Sequence, residues 1–350
     1  MSQREVPAHE YQPKGFVLCV LGILVVGAAI VSAGIGTVSI PPIDVVKAIV
    51  SKITGQMLVD DVTLNIVWNL RLPRLLLAVF SGACLAMAGL IMQALFHNPM
   101  ADPYVVGASS GASSGAILAL WLNVYGQWWG IGLAAIFAFA GSLGVTLLVY
   151  FLSARQGRVQ MTTLLLTGLA IGGFMQAVST LLLLQLESFE LRGMLSWLMG
   201  SFANKRWEHV MILVPYSIVG LTAAFYWKGE LNILSMGDEA AHHLGVNVER
   251  TKFALLVIAT LLTAASVAVS GTIGFVGLIV PHLMRMVVGP NHRVLVPSSI
   301  LCGGFVLLVA DILARKVLPG SEIPIGIVTS IVGCLFFLYL LQRASKKEQV

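Results

Sequence analysis

Ten runs of about twenty mostly apolar residues fill this chain, at 16–37, 72–95, 105–123, 129–153, 161–186, 210–227, 253–270, 272–289, 295–314 and 324–342. A helix that crosses a bilayer needs roughly 20 such residues, and only helices or closed barrels satisfy their backbone groups there. The pattern predicts an all-α polytopic membrane protein with about ten transmembrane helices. Charge agrees: 57% of the 350 residues are hydrophobic and only 11% charged, against about 25% charged in a soluble domain. Short connections leave no room for a soluble unit, so 1–350 reads as a single transmembrane domain.

The first run has Arg4 and Lys14 before it, and Val31-Ser32-Ala33 has the form of a leader cleavage site. The run is longer than the roughly 7–15 apolar residues of a signal peptide, so it reads as a retained helix. The four cysteines, Cys19, Cys84, Cys302 and Cys334, stand alone in apolar runs and read as small hydrophobes. Ten spans put both termini on one side. Taking that side as cytoplasmic leaves twelve basic residues inside and nine outside, a small excess in the direction of the positive-inside rule. The nine outer cations suit either an acidic partner arriving from outside or snorkelling to headgroups.

In "GASSGASSGA", Gly107, Gly111 and Gly115 fall four apart. That is the small-xxx-small spacing that lets helix backbones approach closely in lipid. The same letters match G-x-S-x-G, but a nucleophile elbow needs a strand before its turn, and none is indicated. "SGTIGFVGLIVPHLMR" crowds Gly271, Gly274, Gly277 and Pro281 into one span. Such a helix is kinked, either for tight packing or to line a path. His242 and His243 are neighbours that point about 100° apart on a helix, so no metal site is predicted. No lysine is followed by Ser or Thr, which excludes a Walker A loop. Acids within the spans are scarce, Asp311 being the main one and Asp102 lying near an inner connection. Ion-coupled transporters keep ionisable groups in the membrane. A transporter of this composition would draw its power from another protein.

One charged island, "LSMGDEAAHHLGVNVERTK", interrupts the apolar pattern. Ser235 is placed to cap a helix, with Asp238 in the capping-box position and Asp238 and Glu239 at the favourable end of the dipole. Gly245 stands where a left-handed stop belongs, and Asn247 can cap the turn that follows. A helix of about two turns is expected between them, with Met236, Ala240 and Leu244 on one apolar face widened by Ala241. Two turns do not stand alone in water. The island either rests on its own membrane domain or offers a knob to a separate cytoplasmic protein.

Eight ordered stretches resemble the FecCD-type permeases, the membrane subunits of ABC importers for iron–siderophore complexes, haem and cobalamin: "RLPRLLLAVFSGACLAMAGLIMQALFHNPMADP", "GASSGA", "MLSWLMGSF", "LSMGDEAAHHLGV", "GFVGLIVPHLMR", "HRVLVPSS", "ADILAR" and "EIPIGI". The resemblance runs from about residue 16 to 343 and departs from the family pattern only in details such as Met100. It implies a type II ABC importer architecture with an inverted repeat, a homodimer or a pair with a paralogous permease, two cytoplasmic ATPase subunits and an extracytoplasmic substrate-binding protein. No nucleic acid is implied. ATP and Mg would be used by the ATPases, and this chain would be no enzyme and bind no cofactor. Both termini would be cytoplasmic, in the inner membrane.

The resemblance also assigns roles. The loop 228–252 would couple to the ATPases through Ser235, Met236, Gly237, Asp238, Glu239, Ala240, Ala241, Leu244 and Gly245. Arg71, Arg74 and Arg315 match the positions that dock the binding protein. The segment 187–200, with Glu187, Glu190, Met194 and Met199, would form the outer gate. The cargo stays open among ferric siderophore, haem and cobalamin, with an iron chelate the first choice from the family. Mid-span Met87, Met92 and Met175 fit either core packing or a haem path. Two other classes are distinguishable in principle. A secondary transporter would depend on Asp311, and an intramembrane hydrolase would need Ser109, Ser110, Ser113 or Ser114.

Overall fold

The computed structural model describes residues 14–348 except 37, 125, 129–130, 156–157 and 319–321. Helix α1 (Lys14–Gly34) leads to a short α2 (Pro42–Thr54). Helix α3 (Asp61–Asn65) runs through a π turn, Ile66–Arg71, into α4 (Leu72–Leu95). Then follow α5 (Ala108–Trp121), α6 (Leu133–Ser153), α7 (Met161–Leu183), α8 (Ser188–Leu198) and α9 (Trp207–Tyr226). A pair of short helices, α10 (Lys228–Leu234) and α11 (Asp238–His243), precedes α12 (Val248–Ser270), α13 (Val276–Val288), α14 (His292–Lys316) and α15 (Ile325–Glu348). The described strands are two-residue bridges in the links before α6 and α7.

Every predicted span falls on a helix: α1, α4, α5, α6, α7, α9, α12, α13, α14 and α15. Seven are long and apolar enough to cross a membrane. The other three are shorter: α5 has 14 residues, α13 has 13, and the apolar part of α15 is Ile325–Tyr339. In each half a short helix follows a long central one, α5 after α4 and α13 after α12, and parity makes α4 and α12 cross in opposite directions. This is the arrangement expected of an inverted repeat.

Helices α4 and α12 form the centre, with 78% and 72% of their apolar windows buried, while α1 and α7 bury only 17% each. Small residues decide which helix is central. In α4 every residue from Ser81 to Leu95 is buried, and a Cβ on Gly82 would lie 2.1 Å from the Gly303 carbonyl oxygen of α14. Where lipid is as apolar as a core, such close backbone approach and van der Waals packing drive association. Helix α5 meets α6 in the same way. A Cβ on Gly111 would lie 2.4 Å from the Gly141 oxygen, and one on Gly115 2.1 Å from the Phe137 oxygen. Gly107 differs from the expectation of a third packing glycine within the helix. It precedes α5 with φ 85°, ending a 3-10 turn, and it meets the Val145 side chain instead of a backbone.

The Gly/Pro-rich stretch is broken where a kink was expected. Helix α12 stops at Ser270 and α13 starts only at Val276, with Phe275 at a positive φ of 69°. The break is joined to the turn after α8, which is joined in turn to the start of α15. The Ser201 N–H donates to the Ser270 carbonyl (2.8 Å), the Ile325 N–H to the Gly200 carbonyl (2.8 Å) and the Gly326 N–H to the Met199 carbonyl (3.1 Å). The Thr272 hydroxyl donates to the Leu198 carbonyl. Tyr104 completes the junction, its hydroxyl donating to the Ile273 carbonyl (3.1 Å) and accepting from the Ile273 N–H (3.2 Å). Buried irregular backbone must find partners of this kind.

Candidate functional site

The charged island folds as two helices joined by a tight turn. Ser235 is not the cap expected of it. Its N–H continues α10 by donating to the Leu231 carbonyl (3.1 Å), and its hydroxyl donates to the Asn232 carbonyl (2.7 Å). Gly237, with φ 109°, takes the N-cap place of α11. Asp238 therefore has no capping box to close, and its carboxylate accepts from Lys252 Nζ at 2.5 Å, tying α11 to the base of α12. The stop at Gly245 is as the sequence indicates. Its φ is 82°, its N–H donates to the His242 carbonyl (3.0 Å), and the Val246 N–H donates to the Ala241 carbonyl (3.1 Å). These two bonds are the Schellman pair. Asn247 caps α12 itself, accepting from the Arg250 N–H (3.2 Å).

The expected single face of Met236, Ala240, Leu244 and Ala241 is divided. Leu231, Leu234 and Ala241 are buried against the membrane helices, whereas Met236 and Leu244 are 68% and 59% exposed. Ala240 is half-buried, and Glu239, His242 and His243 are exposed. The pair of helices thus rests on its own domain and presents an apolar, charged-rimmed surface outward. A cleft of about 880 Å³ opens beside α11, walled by Asp238, Glu239, His242, His243 and Asn247.

Beneath that surface α10 is fastened at two points that sequence reasoning missed. The His97 ring donates through Nε2–H to the Leu234 carbonyl (2.7 Å), the protonated nitrogen being required because a carbonyl only accepts. His97 has φ 48° just past the end of α4, so a residue other than glycine occupies the left-handed position. Asn232 Oδ1 accepts from the His292 N–H (2.8 Å) and ring Nδ1 (3.0 Å) at the start of α14. The island is thereby pinned to α4 and α14, the two helices that cross at Gly82 and Gly303.

At the opposite end of α14 lies an arginine cluster. Arg74 Nε donates to Asp311 Oδ1 (2.9 Å), and Arg74 Nη1 bonds both Glu322 oxygens (3.0 and 2.9 Å). Arg315 Nη2 is 2.9 Å from Asp311 Oδ2 as an ion pair, with no donor aligned on that oxygen for a hydrogen bond. Arg315 also donates to the Ser32 and Ile35 carbonyls and the Ser32 hydroxyl, and Arg71 donates to the Ala33 and Val38 carbonyls. The Ser32 and Ala33 carbonyls belong to the last turn of α1, where a helix leaves acceptors open and its dipole favours cations, and those of Ile35 and Val38 lie just beyond it. The side chains of Arg74 and Arg315 are 13% and 6% exposed, and Asp311 is fully buried. The guanidinium groups of Arg71, Arg74 and Arg315, the residues expected to dock the binding protein, are thus all engaged within the chain. The exposed cations of this face are others, among them Arg206 and Lys316.

The segment expected at the gate is α8 with the turn after it. Glu187 precedes the helix, and its N–H donates to the Glu190 carboxylate (3.4 Å). Met194 is buried among Ala112, Ala116, Ala138 and Val267, while Met199 is 46% exposed and lends its carbonyl to Gly326. The segment is thus stitched to the α12–α13 break and to the start of α15. Among the described residues no group of three His, Cys, Asp or Glu is placed to hold a metal ion. Ser114, one of the serines in the elbow-like motif, shares a hydrogen bond with Ser179 (2.9 Å) and donates to the Ser110 carbonyl (2.8 Å). Helix α7 provides that partner.

A bundle of this kind, with interrupted central helices and a pinned, outward-facing helix pair, is a polytopic membrane permease. The model of the FecCD transport family matches residues 23–343, and the chain belongs to that family. It is 44% identical to the cobalamin import system permease protein BtuC of Halobacterium salinarum, over 82% of this chain and 76% of the relative. It is 39% identical to the hemin transport system permease protein HmuU of Yersinia pestis, over 96% of both. With an Fe(3+)-citrate import system permease protein of Bacillus subtilis, YfmE, the identity is 34% over 95% and 96%. The solved structure of an ABC transporter of the metal-chelate type in an inward-facing conformation superposes with a TM-score of 0.80. It shares 30% identity and covers 94% of this chain and 99% of the other.

Proposed function

We propose that this chain is the membrane-spanning subunit of a binding-protein-dependent ABC importer, carrying an iron chelate of the ferric siderophore class inward. In this reading the subunit pairs with a second copy or a paralogous permease. Two cytoplasmic ATPases use ATP and Mg, and an extracytoplasmic protein delivers the cargo. The chain performs no chemistry and holds no cofactor of its own. It lies in the cytoplasmic membrane with both termini and the 228–252 loop on the cytoplasmic side. The observation that carries the reading is the helix pair α10–α11, buried through Leu231, Leu234 and Ala241 yet exposing Met236 and Leu244. Such a surface fits a groove in a partner, and its fastening to α4 and α14 gives the partner's movement a path into the bundle.

Haem and cobalamin are the second reading of the cargo, favoured by the relatives named for them. Ion-coupled transport is disfavoured by Asp311, which two arginines hold as a structural anion. The test is uptake in a strain lacking the gene, offered ferric siderophores, Fe(3+)-citrate, haem and cobalamin. Selective loss of one cargo, restored by the wild-type gene and not by a Leu244→Asp copy, is expected. Restoration by the Leu244→Asp copy at the wild-type rate would remove α11 from the mechanism.

A further inference from the structure

Helix α2 was not anticipated among the spans, and it has two apolar faces. Val45, Ala48 and Ser51 are buried, the first two against the end of α1 and the π turn in a cluster with Ala33, Ile40 and Val67. At 100° per residue, Ile43, Val46, Val50 and Ile53 fall within an arc of roughly 80° on the opposite side. All four are exposed, by 61%, 56%, 38% and 74%. Lys47 flanks this stripe, and Lys52 is exposed on the other side of the helix. Pro42 in the first turn starts α2 and the left-handed Gly55 stops it, so its ends are fixed by local chemistry.

We propose that α2 is an interfacial helix whose outward stripe is immersed in the acyl chains of the leaflet opposite the 228–252 loop. Three observations select lipid over protein as the occupant. First, α1 is long and apolar enough to cross a membrane and exposes Ile23, Val26, Ile30 and Val31, and only seven residues separate it from α2. Second, the stripe is purely β-branched and aliphatic, whereas the centres of protein interfaces are enriched in aromatic residues, Met and Arg. Third, charge is kept off the stripe, with Lys47 at its edge paired with Asp44 (3.3 Å) and Lys52 exposed on the far side, the amphipathic pattern of helices that lie in the headgroup plane. The opposite membrane face follows from α14, whose first residues bond the island through Asn232 and whose last turn bonds the end of α1 through Arg315. The helix would then act as a float, fixing the depth of α1 and, through the π turn, of α4.

The test uses the full permease in nanodiscs of phosphatidylethanolamine and phosphatidylglycerol, with the exposed Cys19 and Cys334 replaced by Ala. Nitroxide labels are placed at Val46→Cys, Ile53→Cys and Lys52→Cys, and collision rates with oxygen and with a water-soluble nickel chelate are read by EPR. Labels at 46 and 53 should meet oxygen severalfold more often than nickel, with the ratio reversed at 52. In the wild-type protein, phosphatidylglycerol bearing a diazirine in its acyl chain should form adducts within 42–54. Equal access of nickel to all three labels would place the stripe in water and overturn the proposal. So would labels at 46 and 53 that are immobilised and shielded from both reagents, which would mean that protein covers the stripe. Absence of adducts in 42–54 would count equally against it.

Discussion

Asp311 shows how one carboxylate organises an end of this bundle. It is fully buried between Arg74 and Arg315, and those arginines in turn hold Glu322 and the closing carbonyls of α1. Removing one partner from a buried ion pair costs about 3–5 kcal/mol. Asp311→Ala should therefore lower the thermal unfolding temperature of the detergent-solubilised permease markedly, and an unchanged transition would show that the cluster holds nothing. The same geometry separates two roles for Arg74. Arg74→Glu would bring three carboxylates together and abolish transport at every ionic strength. A purely docking charge would give a loss that salt modulates, because exposed charges act over a Debye length of about 8–10 Å. Lys205, in the turn before α9, offers a pH test. Burial lowers its pKa to about 8, so the folded state binds fewer protons than the unfolded one between about 8 and the usual lysine value. Stability attached to this group is therefore reduced at neutral pH and recovers as pH rises through that window. Lys205→Met should raise thermal stability at pH 7, and the advantage should shrink at alkaline pH. An advantage constant with pH would mean that the gain comes from packing alone. The resemblance marked Arg71, Arg74 and Arg315 for docking, and their bonds within the chain were not legible, because the letters do not show which carbonyls and carboxylates lie beside each arginine.

At the scale of elements, the long apolar runs located ten helices to within a few residues, since backbone satisfaction in lipid leaves the chain no other option. Their ranking from centre to periphery was harder to read. A core position and a lipid-facing position are equally apolar, so hydropathy cannot distinguish α4 from α1. Only small residues such as Gly82, Ala83, Ala86 and Gly89 signal the difference. Gly82→Leu should push α4 from α14 and prevent accumulation of folded permease, because the Cβ alone already collides with the Gly303 carbonyl and overpacking of tight cores costs about 1–3 kcal/mol or more. Normal expression with normal unfolding would contradict that crossing. The island was legible in its ends and not in its middle. Gly245 and Asn247 act as the letters suggest, whereas the turn at Met236–Gly237 splits the expected helix because α10 completes its own last turn through Ser235. Ala241 faces inward as a result, so Ala241→Asp should damage folding. Leu244→Asp should leave the permease folded and raise the number of ATP molecules spent per cargo, measured in proteoliposomes with the partner ATPases. A normal ratio for Leu244→Asp would separate α11 from coupling.

For the molecule as a whole, the junction of the α8 turn, the α12–α13 break and the start of α15 could not be read from the sequence, since its bonds join backbone groups far apart in the chain. Met199 and Gly200 offer carbonyls whose donors are the N–H groups of Gly326 and Ile325, more than a hundred residues later in synthesis. While the ribosome is still making α14, those carbonyls have no partner from α15, and the irregular backbone beside them is incomplete. Helix α15 is thus the one that completes a junction begun at residues 199 and 200. A nascent chain arrested before Ile325 should remain open to proteases and to membrane quality control at residues 199–201, and release of α15 from the ribosome should close that window.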